Sequence, residues 1–292
     1  MELNKLKTFY TLAQTGNYSN CARKLFVTQS AVSHAVKSLE VSLGIVLIDR
    51  TRRGFALTGE GEALFRTCTN VFFELEKAEE TLRHAQNRPE VVRLGSPVEF
   101  GISILIKNMK RFFDRHPHIH VDFHLSHQLL APLLNDELDM VIDCRPHINP
   151  ELSAIPLFRE EYAVVASPDY VAANAVRDID DLAHCNLLSL DKELNWWHNF
   201  IHVIPAEKRD VFNHVTLINH IRGIINAALC GIGVGFVPKY TVLKELAEGS
   251  LIRLFPEISL MKDRIEIYIK KKRADLPKNL LLMDFLKGIK LL

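Results

Sequence analysis

Membrane-length apolar runs, paired cysteines and the signatures of covalent chemistry are all missing from this chain, and each absence narrows its role. No apolar run approaches the roughly 20 residues of a membrane helix, and Met1 to Leu12 lacks the basic start and apolar core of a signal peptide. A soluble, cytoplasmic protein with no membrane partner is the expectation. The five cysteines (Cys21, Cys68, Cys144, Cys185, Cys230) are odd in number, far apart and never arranged Cys-x-x-Cys. That excludes a disulfide framework and a structural zinc site of the usual spacing, and leaves small core residues as the simplest role. No Gly-x-Ser-x-Gly elbow, His-Glu-x-x-His helix or Walker loop occurs, so neither an enzyme nor a resident cofactor is expected.

What is present is a globular composition, 48% hydrophobic and 24% charged, over 292 residues. That length exceeds one ordinary core and calls for a small domain plus a larger or two-lobed one. The net charge of +1 hides an asymmetry: residues 1–58 carry eight Lys/Arg against three Asp/Glu, while residues 59–292 carry 28 against 32. A basic head on a mildly acidic body is the electrostatic footprint of a nucleic-acid partner, although basic surfaces also occur without one.

Within the head, Leu3, Leu6, Phe9, Tyr10 and Ala13 recur at helical spacing before Gly16, which permits a left-handed stop. Ser19 is positioned to cap a second helix carrying Ala22, Leu25 and Phe26. Thr28 caps a third, with Val32, Val36, Leu39 and Leu43 on one face before Gly44. The opposite face of that helix presents Gln29, Ser30, Ser33, His34 and Lys37, with no carboxylate. In a helix-turn-helix such groups face base edges and phosphates, and an ordinary solvated helix face is the competing explanation. Apolar runs Ile45 to Ile48 and Phe55 to Leu57 flank Arg50, Arg52, Arg53 and Gly54, a hairpin with a basic tip suited to a minor groove or to phosphates.

These pieces together resemble the LysR-type transcriptional regulators. The resemblance is carried by Thr28-Gln29-Ser30-Ala31-Val32-Ser33, Leu39-Glu40 to Leu43-Gly44, Leu47-x-x-Arg50-Thr51 and Leu57-Thr58-x-x-Gly61. It implies DNA contacts from Gln29, Ser30, Ser33 and Lys37, with Arg50 and Arg53 supporting the wing. Ser30 stands where the family usually has Pro, His34 where it has a longer basic or polar side chain, and Ile48 where it has Phe.

From Gly59 to about Gln86 there is no Pro and no interior Gly apart from the first turn. Leu64, Cys68, Val71, Leu75, Ala78 and Leu82 alternate spacings of four and three, a coiled-coil seam. A long amphipathic helix lying on its own domain is the alternative; the resemblance favours a dimer, often paired into a tetramer. Two recognition helices related by a twofold axis then predict an interrupted palindrome in double-stranded DNA. RNA polymerase is a further expected partner of such a regulator.

Beyond Pro89 strands and helices alternate, an α/β pattern. The expected strands are Val91 to Leu94, Ile119 to Leu125, Leu138 to Ile142, Tyr162 to Ala166, Asn186 to Leu190, Val234 to Val237 and Ile265 to Ile269. The resemblance implies two lobes of the periplasmic-binding-protein type. The expected organisation is a winged helix-turn-helix (1–58), a linker helix (59–88) and a regulatory domain (89–292). Lobe I of the latter takes about 89–160 and 266–292, and lobe II about 161–265.

Ligands of open parallel sheets bind beyond the carboxyl ends of strands. Matched to the family's pattern, those turns hold Ser96, Pro97 and Glu99, then Ser126 and His127, then Asn219 and His220. Pro97, Glu99 and His220 replace the Ser or Thr that carboxylate-binding members often use, and Glu99 opens the possibility of a neutral, zwitterionic or cationic effector.

Other clusters are weighed the same way. His116, His118, His120, His124 and His127 crowd one stretch, with His118, His120, Asp122 and His124 on one strand face, so a metal-responsive regulator is an alternative to a polar strand face. Cys185 and Cys230 make redox sensing another. Gly231-x-Gly233-x-Gly235 follows a helix and enters a strand, the reverse of a dinucleotide fingerprint, and is read as a tight turn. Lys270 to Arg273 is expected to be solvated. Trp196 and Trp197 are assigned to packing of the second lobe, with one available to line the cleft. The leading expectation is a sequence-specific transcriptional regulator governed by a small effector; an enzyme fused to a DNA-binding domain is the rival.

Overall fold

Helical periodicity accounts for the N-terminal head, and the computed structural model, which describes residues 2–49, 54–85, 89–205, 214–258, 260 and 263–289, bears it out. The chain divides into two units, Met1–Gln86 and Asn87–Leu292. In the first, α1 (Leu3–Thr15) ends at Gly16 and α3 (Gln29–Leu43) at Gly44, both glycines left-handed. Helix α2 (Tyr18–Leu25) is capped by Asn17, whose side chain accepts the Ser19 and Asn20 amides, so Ser19 is not the cap. The choice follows from geometry: Asn17 is the last extended residue, and only its side chain reaches the orphan amides.

Phe9, Leu12, Cys21, Val32, Val36, Leu39 and Leu47 fill the core of this head, and Cys68 of α4 (Gly59–Ala85) joins them. Tyr10 stacks on Phe65 and Phe72, ring centroids 5.6 and 5.2 Å apart, fastening α1 to α4. Leu3, expected on the buried stripe, is exposed.

The second unit holds two five-stranded sheets. Lobe I orders its strands β2-β1-β3-β10-β4 and lobe II β7-β6-β8-β5-β9. The strands are β1 (Glu90–Ser96), β2 (Ile119–Leu125), β3 (Met140–Asp143), β4 (Leu152–Glu160), β5 (Tyr162–Ala166), β6 (Asn186–Ser189), β7 (His214–Leu217), β8 (Val234–Pro238), β9 (Ile252–Leu254) and β10 (Asp263–Lys270). In lobe I, β1 pairs in parallel with β2 and β3, and β10 runs antiparallel between β3 and β4. In lobe II, β6 lies in parallel between β7 and β8, and β5 returns antiparallel.

One face of sheet I is covered by α5 (Val98–Phe100), a wide helical turn at Gly101–Leu105, α6 (Ile106–Arg115) and α12 (Pro277–Lys287). Phe100, Leu105, Met109, Phe112 and Leu282 are the buried centre there. The other face meets α7 (Leu130–Leu134) through Leu129, Leu133, Val141 and Tyr268. Sheet II is likewise covered twice. Trp197, Phe200 and Phe236 pack on one face, beside α8 (Pro168–Ala173) and α9 (His198–Ile201). Ile224 and Ala228 of α10 (Ile221–Leu229) pack on the other, and α11 (Leu243–Glu248) follows β8. Burial on both faces is why Tyr162 to Ala166 and Val234 to Val237 read as unbroken apolar runs.

Trp197 Nε1 donates to the Leu188 carbonyl at 3.0 Å and Trp196 Nε1 to that of Phe236 at 2.5 Å, so both indoles pack lobe II. Gly231 (φ +69°) closes the turn between α10 and β8, and a Cβ at Gly233 would run into the Asn186 carbonyl. The glycine run is therefore a helix-to-strand turn.

The basic run at the end of β10 departs from expectation. Lys270 and Arg273 are buried at 4% and 6% exposure. Lys270 Nζ reaches Asp136 at 2.8 Å, Arg273 Nε reaches Asp136 at 3.2 Å and Arg273 Nη1 reaches Asp139 at 3.5 Å. Asp139 also takes Arg93 Nη2 at 2.9 Å and the Arg93 amide at 2.8 Å. Partners more than 130 positions earlier in the chain draw the run inward.

Burial alone would raise the Asp139 carboxyl, but the hydrogen bonds and charge of Arg93 outweigh it and the group titrates below its usual 3.8. Asp136 is lowered too, by Lys270 against the same desolvation. A folded-state value below the unfolded one contributes stability that is complete above 3.8 and is lost as pH falls through the folded value. Thermal stability should therefore fall on acidification below that point, and the acid-side slope should be smaller in Asp139→Asn. Asp139→Ala should lower stability by roughly 1–3 kcal/mol at neutral pH, since the Arg93 amide and Arg273 Nη1 lose their acceptor while Arg273 Nε keeps Asp136; no measurable loss would show the network to be dispensable.

Candidate functional site

In the head, the capping geometry of α3 sets the outward face. Thr28 Oγ1 accepts the Ala31 amide at 3.2 Å and lies 3.0 Å from Ser30 Oγ. Val32, Val36 and Leu39 are buried, which leaves Thr28, Gln29, Ser30, Ser33, His34 and Lys37 all exposed, as the periodicity predicts. A groove of about 550 Å³ runs beside this face, lined among others by Asn17, Tyr18, Ser19, Gln29, Ser33 and Phe55. Ser19 Oγ reaches Gln29 Oε1 at 3.5 Å.

The wing is anchored by residues quoted above only as part of a pattern. Glu40 Oε1 accepts the Leu47 and Ile48 amides at 2.9 and 3.2 Å. Ile48 bridges Leu57, and the Asp49 amide donates to Ala56 at 2.9 Å. Thr58 Oγ1 donates to the Val46 carbonyl at 2.7 Å and accepts the Gly61 amide at 3.0 Å. At Gly61 any Cβ would strike the Leu47 carbonyl. The tip residues Arg50, Arg52 and Arg53 lie outside the described residues.

In the two-lobed unit the strand-end turns come together in pairs. The Ser126 amide donates to the Ser96 carbonyl at 3.0 Å in lobe I, and the Ile218 amide to that of Ser189 at 2.9 Å in lobe II. Ser96 is fully buried, its hydroxyl donating to the Pro97 carbonyl at 3.0 Å, and Pro97 is half-buried. Ser126 Oγ accepts the Gln128 amide at 3.0 Å. His127 and Asn219 are exposed, and the His127 carbonyl accepts from Arg145.

Glu99 and His220 meet across the seam between the lobes. Glu99, only 4% exposed, lies 3.4 Å from His220 Nδ1 and 3.5 Å from Arg222 Nη2. Arg222 also spans 3.7 Å to Glu245. Close by, Tyr162 donates to the buried Glu160 at 2.6 Å, and Tyr240 bonds the same carboxylate. Burial first, then the charge of Glu160, hold the Tyr240 hydroxyl well above its usual range.

Sequence reasoning missed Arg222, Glu245 and Asp143. Asp143, 1% exposed, ends β3 and pairs with His147 at 2.9 Å and Arg145 at 3.3 Å. A polar residue closing the apolar run Met140-Val141-Ile142 was the available signal.

His120, Asp122 and His124 share the exposed face of β2 as expected. Among the described residues no group of three His, Cys, Asp or Glu is arranged to hold a metal ion. Cys185 is fully buried and its thiol is pushed up by that burial, while Cys230 is exposed. Burial of this kind disfavours Cys185 as a reactive thiolate.

A winged helix-turn-helix with a carboxylate-free outer face, in one chain with a two-lobed α/β unit, defines a ligand-responsive DNA-binding regulator. Residues 3–62 match the bacterial regulatory helix-turn-helix protein, lysR family, and residues 85–289 match the LysR substrate binding domain. The chain belongs to the LysR family of transcriptional regulators.

Among curated relatives, it is 30% identical over 258 residues to the glycine cleavage system transcriptional activator homolog of Haemophilus influenzae, covering 87% of this chain and 83% of that one. It is 29% identical over 261 residues to the transcriptional regulator CrgA of Neisseria meningitidis, covering 87% and 85%. The solved structure of CrgA from Neisseria meningitidis aligns over 98% of both chains with a TM-score of 0.63 and 25% identity. That of ArgP from Mycobacterium tuberculosis aligns over 99% of this chain and 97% of its own, with a TM-score of 0.70 and 20% identity, a likeness of fold. Among the described residues no helix is long and apolar enough to cross a membrane.

Because Glu40 holds two wing amides, Glu40→Ala should lower stability by roughly 1–3 kcal/mol and weaken DNA binding without touching the recognition face. Glu40→Gln, which keeps an acceptor, should lose less. Unchanged melting and unchanged gel-shift affinity in Glu40→Ala would contradict the anchoring role.

Proposed function

We propose that this chain reads an interrupted palindrome in double-stranded DNA as a cytoplasmic homodimer, or a pair of dimers, with activity set by an effector held at the inter-lobe seam. The action is regulatory, without covalent chemistry. Supporting DNA readout above all is the exposed, carboxylate-free face of α3 beside the groove, where the helix N-terminus adds its own attraction for phosphate. Gln29 is assigned to base edges, Ser30, Ser33 and His34 to adjacent edges or phosphates, and Thr28 and Lys37 to phosphate. Arg50, Arg52 and Arg53 are assigned to the wing contact on their sequence alone. RNA polymerase is the further partner expected where such a regulator sits at a promoter.

A second copy is the fitting partner for α4. Val71, Leu75, Ala78 and Leu82 are exposed along the seam of a helix about 40 Å long. Ser96, Pro97, Glu99, Ser126, His127, Asn219 and His220 are proposed to frame the effector site, because they occupy strand-end turns where parallel sheets bind ligands.

Gel-shift titrations on an operator and on unrelated DNA test the head. Gln29→Ala should cost about 1–3 kcal/mol of discrimination, whereas Lys37→Ala should weaken both DNAs alike and reduce the salt slope by about 1. Equal losses on both sequences from Gln29→Ala would remove its assignment to bases. For the dimer, sedimentation of Leu75→Glu should move toward the monomer at micromolar concentration; a wild-type monomer would refute the α4 seam.

A further inference from the structure

We infer that the inter-lobe site takes an organic cation, an amino or guanidino compound whose N–H donates to Glu99 Oε1. This rests on the effector reading above and specifies its chemistry. The carrying observation is that Glu99 Oε1 is buried and has no hydrogen-bond partner. The nearest nitrogen, His220 Nδ1 at 3.4 Å, already accepts the Arg222 amide at 3.2 Å. That nitrogen uses its lone pair and has no hydrogen to give to the carboxylate.

The other oxygen is loosely held. Arg222 Nη2 lies 3.5 Å from Oε2, beyond the 2.7–2.9 Å range of a good charge-assisted bond, and the same guanidinium leans toward Glu245 at 3.7 Å. Arg222 is thus shared between a lobe I carboxylate and a lobe II carboxylate, and it keeps the second when a ligand takes the first.

The surrounding charge favours the same class. Glu99 and Glu245 share the one guanidinium of Arg222, and both Glu99 and the buried Glu160 bear on the Tyr240 hydroxyl. An anionic ligand entering here would meet Glu99 first. A cation instead completes the carboxylate and releases Arg222 to lobe II, so occupancy replaces a bond between the lobes with a bond to the ligand. Differential contact of that kind is what shifts a two-state equilibrium.

The full-length protein should be titrated with three probes that share a four-carbon chain and differ in charge: 1,4-diaminobutane, 4-aminobutanoate and succinate. Calorimetry and thermal unfolding should register the two amines and not succinate. Glu99→Gln should weaken the diamine at least about tenfold, while Arg222→Gln, which removes the competing cation, should tighten it severalfold. Glu245→Gln should weaken it, by leaving Arg222 on Glu99. Structural damage would move all three variants the same way, so the opposed signs isolate the proposal.

No response to either amine at about 20 mM, or succinate bound as well as the diamine, would overturn the cation assignment. Succinate binding abolished by Arg222→Gln would do so while leaving the inter-lobe site intact. Amine binding indifferent to Glu99→Gln, Arg222→Gln and Ser126→Ala alike would overturn the site as well.

Discussion

Lobe I is not complete until β10 has returned to it, and the rest of the regulatory unit depends on that return. The chain leaves lobe I at Glu160, builds the sheet of lobe II, and inserts β10 antiparallel between β3 and β4. The ion network at its end ties three distant segments together: Arg93 on β1, Asp136 and Asp139 before β3, and Lys270 with Arg273 at the end of β10. Apolar packing alone would tolerate a strand slipped along its neighbours. Buried charges do not, because a slip leaves them unpaired at a cost of several kcal/mol. The register so fixed sets where β1 ends, and therefore where Ser96 and Glu99 stand.

The sequence discloses this framework unevenly, and the reasons are physical. Strand β5, buried on both faces, is an apolar run with visible ends, and β2 alternates apolar residues with exposed polar ones, so both fall where they were expected. Strand β4 was not foreseen: Pro156 interrupts it, and only because β4 is an edge strand opposite an irregularity at Ile265/Glu266 can the proline be accommodated. The four residues of β7 and the three of β9, also edges, are too short for any periodicity to register. Lys270 to Arg273 misled for a different reason. Four adjacent cations look solvated to any local reading, and the carboxylates that bury two of them are invisible until the fold brings them near.

The sites divide along the same line. The outward residues of α3 were legible because a single helix carries them and one stripe of Val32, Val36 and Leu39 settles which face is outward. Glu40 could be recognised as part of a family pattern but not understood, since its role is to receive two amides from the strand that follows. At the seam, Glu99 stood out as a carboxylate in a turn where a hydroxyl is usual, and His220 was a candidate on another turn of the same site. Arg222, separated from Glu99 by 123 positions, carries no local mark of its partnership.

Three carboxylates, Glu40 in the first unit and Asp139 and Glu99 in the second, show how bond geometry separates a tightly held group from a loosely held one. Glu40 is a single acceptor for two backbone amides at 2.9 and 3.2 Å. Asp139 is similar, with Arg93 bonds of 2.8 to 3.2 Å. Such groups resist displacement, because each alternative strands a buried donor. Glu99 is the reverse: its contacts are 3.4 and 3.5 Å long, its cation is shared with a rival, and one oxygen stands unbonded. A protein that converts ligand binding into a change of shape requires both kinds, since a rigid network alone has no second state and a loose one alone has no defined first state. The short bonds of Glu40 and Asp139 hold elements whose register must be kept, and the long ones of Glu99 join two lobes at their loosest recorded contact.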